Sequence, residues 1–354
     1  MPLKFEPKYA ITNDILKKLL EIEAIKERVR FLPLTPKALA SLRESSKLFS
    51  THYSTMIEGN RLTQKEVSEV LLQYKQIKGR QRDEKEIKGY YKALHEVSKL
   101  VNKKSNITEK NIKTLHGYIM GANKPTPTEY RTEQNVIKEL GSGRIVYLPP
   151  EAKDVPGLMS VLVSWLNENK NIIPIPILAA IAHYQYATIH PYYDGNGRTA
   201  RILTTLLLHL NGYDLKGIYN LEEYYAKSLQ TYYSAIDIGE SHNYYFGRAV
   251  ADITSWIEYF ITGMLESFGK IEEHIEKEKG KVDQSKKLNI FDSRQKQILI
   301  LFEKNDSITS KDLEKLFKFS PRTARQLAQK LVKSGLLKMA DKSKKNRSYK
   351  LINK

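Results

Sequence analysis

The sequence has 354 residues, a formal net charge of +18 and no cysteine. This length is enough for two or three domains, and the charged (28%) and hydrophobic (41%) fractions are those of a folded soluble protein, not of a disordered chain. Without cysteine, disulfides, thiolate metal sites and cysteine nucleophiles are excluded. With no apolar signal-type stretch at the start, the sequence predicts a cytoplasmic protein.

Helical periodicity dominates the chain. It predicts helices over Asn13–Val29, Pro36–Ile57, Thr63–Tyr74, Glu86–Val101, Thr108–Met120, Lys153–Glu168, Pro176–Thr188, Gly197–Leu210, Leu221–Ser234 and Ala249–Phe268. Thr63 followed by Glu66 has the spacing of a capping box. The polar stretch Lys75–Glu86 predicts a loop.

One segment has the pattern of a β-hairpin. Two β-prone pieces, Val136 with Ile137 and Ile145 with Val146 and Tyr147, are separated by a glycine-containing stretch. This segment is the predicted exception in an otherwise helical region.

A charge-free run extends from Asn171 to Tyr193. Its length suggests a membrane span, but Pro174 and Pro176 near its start and His183 in its second half favour a buried core helix. We therefore predict no membrane segment.

The positive charge is concentrated near the end of the sequence. Residues 281–354 carry 20 of the 58 Lys and Arg residues and 7 of the 40 acidic residues, a net of +13 against +5 for residues 1–280. This asymmetry is typical of a nucleic-acid-binding segment, although a solvated lysine-rich surface has the same composition.

The charged residues 266–288 predict an interdomain linker, and residues 289–354 predict a winged helix-turn-helix domain. Its three helices are predicted at Arg294–Glu303, Ser310–Phe317 and Ser320–Ser334, and its strands at Leu336–Met339 and Ser348–Leu351. Basic residues on the third helix and on the wing suit contacts with DNA phosphates; they are Arg322, Arg325, Lys330, Lys333, Lys342, Lys344, Lys345 and Arg347. A protein-interaction module is the alternative.

The densest polar motif runs from His190 to Arg201, between two strongly apolar segments. Gly195 and Gly197 precede a helix N-terminus, where free N–H groups favour an anion. Arg198 and Arg201 are three residues apart and can clamp phosphate oxygens.

Two further groups in this motif suit phosphate chemistry. Asp194 offers a hard oxygen ligand for Mg²⁺. His190 is the one group of the loop that titrates near neutrality, which makes it the natural general base. No lysine-bearing P-loop pattern is present, so a Walker-type NTPase is excluded.

The motif resembles the Fic family signature H-P-F-x-[D/E]-G-N-G-R-x-x-R, with Tyr192 at the usual Phe position. The resemblance implies a mainly α fold: a helical Fic core over residues 106–265 with a β-hairpin flap, preceded by an N-terminal helical region over residues 1–105. Tyr192 then fills an inward pocket, and its hydroxyl needs a partner.

The resemblance also implies an activity, the transfer of AMP from ATP to a Tyr, Ser or Thr hydroxyl of a target protein with release of pyrophosphate. His190 would be the base and Asp194 the Mg²⁺ ligand. ATP would be bound by the segment from Gly195 to Arg201, namely Gly195, Asn196, Gly197, Arg198, Thr199, Ala200 and Arg201, with Tyr233 on the adenine side. The hairpin residues Val136, Ile137, Ile145, Val146 and Tyr147 would hold the target segment.

The segment from Ser54 to Gly59 resembles the family's inhibitory motif, [S/T]-x-x-x-E-[G/N]. Ser54 and Glu58 are four residues apart on one helix face, and Glu58 would occupy Arg201 in place of the γ-phosphate. Two alternatives stay open, a DNA-binding regulator whose core senses nucleotide and a Fic-type deAMPylase. Relatives of this type also dimerise, so a homodimer is a further expectation.

Overall fold

The computed structural model describes residues 4–285 apart from 33, 35, 125 and 139–142, and residues 298–351 apart from 299–300, 303–304, 306, 334–336, 342 and 344–346. By compactness it divides into Met1–Gly280 and Lys281–Lys354. The helices of the first unit are α1 (Asn13–Arg30), α2 (Pro36–Ile57), α3 (Gln64–Leu72), α4 (Gln81–Asn102), α5 (Glu109–Ile119), α6 (Val155–Asn169), α7 (Ile175–Ile189), α8 (Asn196–Leu210), α9 (Glu222–Lys227), α10 (Leu229–Ile236) and α11 (Thr254–Ser285).

Helices α7 and α8 form the centre of this unit. Thirteen of the fifteen residues of α7 are buried, because its sequence is apolar on every side and must be surrounded by other elements. Trp256 of α11 donates its indole N–H to the Ala180 carbonyl at 2.8 Å. Among the described residues, no helix is long and apolar enough to cross a membrane, and the charge-free run is a core helix as predicted.

The N-terminal helices follow their sequence signals. The Thr12 hydroxyl caps α1, and the predicted capping box is present, with the Thr63 hydroxyl accepting from the Glu66 N–H and the Glu66 carboxylate accepting from the Thr63 N–H. The apolar face of α1 is buried in the core. These helices place the end of α2 beside the start of α8.

The predicted loop Lys75–Glu86 is wrong in its second half, because α4 already begins at Gln81. Its acidic side chains have partners that allow burial. Glu84 accepts from the Ile77 N–H and pairs with Lys88, and Glu86 accepts from Asn60 at 3.0 Å. A polar stretch can therefore form a buried helical turn when each of its carboxylates has a hydrogen-bond or ion-pair partner.

Two further boundaries differ from prediction. The expected helix Leu221–Ser234 is two helices, α9 and α10, because Ser228 is extended and its hydroxyl caps α10. Helix α11 starts five residues later than expected and continues to Ser285, so most of the segment interpreted as a linker, residues 266–288, is helical.

The predicted hairpin is present as β1 (Ile137–Lys138) and β2 (Ile145–Tyr147), which pair antiparallel with Ile137 opposite Tyr147. Tyr147 is buried and donates its hydroxyl to the Thr188 carbonyl at 2.6 Å. That contact ties the hairpin to the last turn of α7, directly before His190.

The second unit contains β3 (Ile308–Thr309), α12 (Ser310–Phe317), α13 (Pro321–Lys333), β4 (Leu337–Asp341) and β5 (Ser348–Leu351), with strand order β3-β5-β4. Strand β3 was not predicted. The unit has its own apolar core, which includes Leu313, Ala328 and Tyr349. The predicted helix Arg294–Glu303 and wing residues Lys342, Lys344 and Lys345 lie largely outside the described residues.

Candidate active site

The loop from α7 to α8 holds two left-handed residues that shape the site. His190 ends α7 with a φ of +50°, and Gly195 starts α8 with a φ of +77°, a conformation that glycine adopts without steric cost. Asn196 closes the loop, since its side chain accepts from the Tyr192 N–H and donates to the Tyr192 carbonyl. The first N–H groups of α8 are thereby set beside His190.

His190 has one ring nitrogen left to accept a proton. Its Nδ1 lies 3.3 Å from the Ala187 carbonyl, a contact in which the nitrogen donates, so Nε2 carries the lone pair. Burial lowers the pKa of His190 to about 4, against smaller opposing effects of the Ala187 contact and of Glu58. The imidazole is therefore neutral at physiological pH, as a general base must be.

Arg201 is buried and joins the motif to α2. Its Nε donates to the Ser54 hydroxyl at 2.7 Å, and its Nη2 donates to the Ser54 carbonyl at 2.8 Å and to Glu58 Oε1 at 2.7 Å. Burial lowers the pKa of Arg201, but Glu58 together with Tyr232 and Tyr90 outweighs this effect, and the net pKa is raised. The sequence-predicted residues Ser54, Glu58 and Arg201 are thus brought together.

The Glu58 carboxylate lies over the N-terminal turn of α8. A Cβ placed on Gly197 would be 2.4 Å from Glu58 Oε1, so only glycine leaves room for an oxygen at this point. Two buried guanidinium nitrogens of the motif make no hydrogen bond among the described residues: Nη1 of Arg201, near Gly197, and Nε of Arg198. Each arginine therefore keeps donor capacity for an oxyanion.

Arg198 is buried between two carboxylates. Its Nη2 donates to Asp194 Oδ1 at 3.1 Å, and its Nη1 lies 3.9 Å from Glu86 Oε1. The Asp194 side chain itself is 61% exposed. In the described part of the chain, no group of three or more His, Asp or Glu side chains could hold a metal ion, so Asp194 offers a single carboxylate.

The structure places the predicted nucleotide residues in different environments. Gly197 and Arg201 lie against Glu58, Arg198 lies between Asp194 and Glu86, and a Cβ on Gly195 would face Met120 and His116. Thr199 and Ala200 are fully buried, and the Thr199 hydroxyl donates to the Gly195 carbonyl at 2.8 Å. These two residues hold the first turn of α8 and point into the core.

The two adjacent tyrosines of α10 differ in environment. Tyr232 is buried and its hydroxyl lies 2.9 Å from His183 Nε2. Tyr233 is 47% exposed and donates to the Ile57 carbonyl at 3.3 Å. Tyr233 therefore lies at the end of α2, next to Glu58, and Tyr232 is a core residue.

Two residues of the site have no sequence signal and were not predicted. His116 of α5 lies with Nε2 2.9 Å from the Asp194 carbonyl and stacks on Tyr192 with ring centroids 3.5 Å apart. Arg131 donates from Nε to the His190 carbonyl at 3.0 Å, and its backbone N–H donates to the Pro191 carbonyl at 2.9 Å. Both side chains fix the loop by contacts far apart in sequence.

Tyr192 fills the inward pocket expected of it. The side chain is 3% exposed, and its hydroxyl makes no hydrogen bond of standard geometry among the described residues. The Thr128 side chain still interacts with this hydroxyl and opposes the effect of burial on the pKa of Tyr192. The stacked His116 ring accounts for the tight fit of the tyrosine ring.

Comparison with known proteins shows which proteins this part of the chain resembles. Residues 106–208 match the Fic/DOC family. A protein adenylyltransferase Fic from Drosophila ananassae is 32% identical over 210 residues, which is 57% of this chain and 41% of that protein. One from Aedes aegypti is 33% identical over 183 residues, 51% of this chain and 35% of that protein. The chain thus spans about two fifths of the length of the curated relatives it matches.

Solved structures share the fold. A Fic family protein from Desulfovibrio desulfuricans aligns over 99% of both chains with a TM-score of 0.65 and 22% identity. A Fic domain containing signaling protein from Bacteroides thetaiotaomicron aligns over 71% of this chain and 94% of its own with a TM-score of 0.61 and 24% identity. The mainly α Fic fold with a small hairpin is therefore confirmed.

Proposed function

We propose that the protein is an auto-inhibited adenylyltransferase that moves AMP from ATP to a hydroxyl of a target protein, on the premise that residues 106–208 match the Fic/DOC family. The observation that carries the proposal is the joint position of a neutral His190 and the two incompletely paired arginines, Arg198 and Arg201, at one helix N-terminus. A base and a polyphosphate site are what this transfer requires.

In the proposed reaction, Nε2 of His190 takes the proton of the target hydroxyl as its oxygen attacks the α-phosphorus of ATP. The new P–O bond forms while the bond to pyrophosphate breaks, so AMP stays on the target and pyrophosphate leaves. The N–H groups at Asn196 and Gly197, which no capping side chain occupies, stabilise charge on the α- and β-phosphates, and Arg198 orients them. Arg201 binds the γ-phosphate.

A magnesium ion fits the donor set. Mg²⁺ is commonly held by one or two carboxylates together with substrate phosphates and water, and Asp194 supplies one largely exposed carboxylate beside the phosphate-binding arginines. When bound, the ion would neutralise phosphate charge. Asp194 is the residue that would hold it.

Glu58 is the inhibitory group in this proposal. Its carboxylate takes Nη2 of Arg201 and lies against Gly197, which is where a γ-phosphate would need to bind. ATP and Glu58 therefore compete for the same guanidinium. Ser54 holds the other edge of Arg201 and keeps it aligned.

The test uses the wild type, Glu58→Gly and His190→Ala with α-labelled ATP and a cell extract. We expect Glu58→Gly to increase labelling at least tenfold and His190→Ala to abolish it. Glu240→Gly, which removes an exposed glutamate elsewhere, is the matched control and should match the wild type.

Equal labelling by the wild type and Glu58→Gly would contradict the inhibitory role. Labelling by neither, with ATP still bound, would instead favour a nucleotide-sensing regulator. ATP should also raise the Tm of Glu58→Gly more than that of the wild type, because only the variant has a buried guanidinium without its carboxylate.

The hairpin is proposed as the docking site for the target. Strand β1 pairs on one side with β2, and Ile145 is 52% exposed. An extended target segment could add a strand here by main-chain hydrogen bonds. The adjacent Tyr147–Thr188 contact would then hold the added strand so that the target hydroxyl lies next to His190.

The C-terminal unit is proposed to be a winged helix-turn-helix module that binds DNA. Support comes from α12, α13 and a three-stranded sheet, and from exposed Arg322, Arg325 and Lys330 on α13. If phosphate contacts dominate, affinity for duplex DNA should fall steeply between 50 and 200 mM salt, about 10³-fold for six contacts. Absent or salt-independent binding would favour a protein-interaction module. A cytoplasmic location and a homodimer also stay predictions.

A further inference from the structure

A polar cavity of about 240 Å³ lies between α2, α4, α8 and the segment 214–222. Helix α2 contributes Arg43, Lys47 and Ser50 to its wall, and α8 contributes Thr205. None of the motif residues from His190 to Arg201 lines it. Cavities between helices are common ligand sites when a few polar groups converge in them.

One charged group of the wall has no ion pair within the described residues. Lys47 is half-buried, and burial lowers its pKa, with Glu44 opposing the effect and Arg43 adding to it. An anion in the cavity would give this ammonium group a partner.

The acidic part of the wall is already engaged. Glu222 is buried and accepts from the Tyr90 hydroxyl at 2.9 Å. Asp214 is the other carboxylate of the wall and lies next to His209. These acceptors suit hydroxyl donors on a ligand, whereas Lys47 and Arg43 suit a negative charge.

The cavity is connected to Arg201 by hydrogen-bonding groups. Ser54 lies beside the same Tyr90 hydroxyl that donates to Glu222, and the Ser54 hydroxyl accepts from Arg201 Nε at 2.7 Å. The cavity wall and the proposed γ-phosphate site thus share one continuous polar chain.

We propose that this cavity binds a small hydroxylated anion, a hydroxy acid or a sugar phosphate, and that the bound anion strengthens the contact between Glu58 and Arg201. The anionic end pairs with Lys47 and Arg43. The hydroxylated part reaches the two carboxylates, Glu222 and Asp214. The second half of this inference rests on the proposed function, in which Arg201 binds ATP.

The coupling follows from the two elements that the ligand joins. Helix α2 carries Lys47 and ends at Ile57, the residue before Glu58, and the segment 214–222 carries Glu222, which is linked to Arg201 through Tyr90 and Ser54. A ligand that bridges α2 and this segment favours the arrangement in which Glu58 occupies Arg201. The anion and ATP therefore weaken each other's binding by the same factor.

The binding test is calorimetric titration of the full chain with glycerol 3-phosphate and with gluconate, one phosphate and one carboxylate probe, with glycerol as the neutral control. We expect at least one probe to bind the wild type and Lys17→Met, which changes an exposed lysine of α1, and glycerol not to bind. Lys47→Met should weaken binding at least tenfold.

The coupling test measures ATP affinity with and without the bound probe. We expect about fivefold weaker ATP binding in the wild type and no change in Glu58→Gly. Failure of both probes to bind, or equal binding by the wild type and Lys47→Met, overturns the site. Unchanged ATP affinity with the probe bound overturns the coupling. Loss of AMP transfer with probe binding intact would count against the proposed function alone.

Discussion

His190 and Arg201 show how much a single side chain depends on distant partners. The motif alone predicts that both belong to a phosphate site, and Glu58 was predicted to reach Arg201. The sequence could not predict that Asn196 is used to close the loop, or that His116 and Arg131 hold its backbone. The His116 and Arg131 contacts join residues 78 and 59 positions apart and leave no local pattern.

The pH dependence of transfer follows from the neutral His190. Because burial lowers the pKa of His190 to about 4, the base stays deprotonated well below its ordinary range. We expect kcat/KM of Glu58→Gly to be nearly constant from pH 8 to 5.5 and to fall only nearer pH 4. The measurement is a pH profile with labelled ATP; a fall centred at pH 6.5 would contradict it.

Tyr192→Phe tests the buried hydroxyl. The ring stacks on His116, and phenylalanine keeps that contact while removing a buried oxygen that makes no hydrogen bond of standard geometry. We expect the free energy of unfolding to stay the same or rise by about 1 kcal/mol, measured by urea denaturation. A loss above about 1 kcal/mol would show that the hydroxyl has a partner.

At the scale of helices and strands, hydrophobic periodicity predicts the bounds of a helix well where the burial of its apolar face alone determines them. Helices α1, α2, α7 and α8 lie within two residues of prediction. Prediction fails where polar contacts decide: α4 begins early because its carboxylates are satisfied, and Ser228 divides α9 from α10. The two-residue strand β3 is too short for a pattern; it forms because β5 lies beside it.

The contact between α4 and α5 depends on Gly89. A Cβ there would lie 2.5 Å from the Tyr118 carbonyl oxygen and 2.8 Å from that of Ile119, and backbone atoms cannot move aside cheaply. We expect Gly89→Ala to destabilise the protein by about 2 kcal/mol or more, although alanine is the better helix former.

Gly269→Ala in α11 is the matched control for Gly89→Ala. A Cβ at Gly269 would meet nothing within 4 Å, so this variant should be neutral or gain up to about 1 kcal/mol. The measurement is again the free energy of unfolding. Equal effects at the two positions would contradict the close helix contact.

At the scale of the whole molecule, the charge and the proposed chemistry belong to different units. The net charge of +18 is mostly carried by residues 281–354, whereas the site residues all lie in the unit Met1–Gly280. The sequence predicts this division from composition alone. The boundary is less well predicted, because the charged segment before it is helical in α11.

Acid should destabilise the first unit as a whole. Burial lowers the pKa of His116, His190 and His209 to about 4 and that of His183 to about 3. Unfolded histidines take up protons near pH 6.5, whereas the folded ones do so only near pH 4. The free energy of unfolding therefore has its full value above pH 6.5 and decreases as the pH falls toward 4.

We expect each of these histidines to lower the free energy of unfolding by about 1.4 kcal/mol between pH 7.5 and 5.5. Urea denaturation at the two pH values measures the loss, with unchanged m-values as the internal check. Equal stability at both values would show that the histidines titrate normally in the folded state.

The order of Glu58 and Arg201 along the chain has a consequence for biosynthesis. Glu58 precedes Arg201 by more than 140 residues, and a chain is made from its N-terminus. The ribosome therefore releases the acidic partner well before the arginine that it binds. When α8 folds, α2 is already available to dock on it. A newly made chain can thus reach its first folded state with the arginine occupied, and it need not pass through a stage in which that site is open.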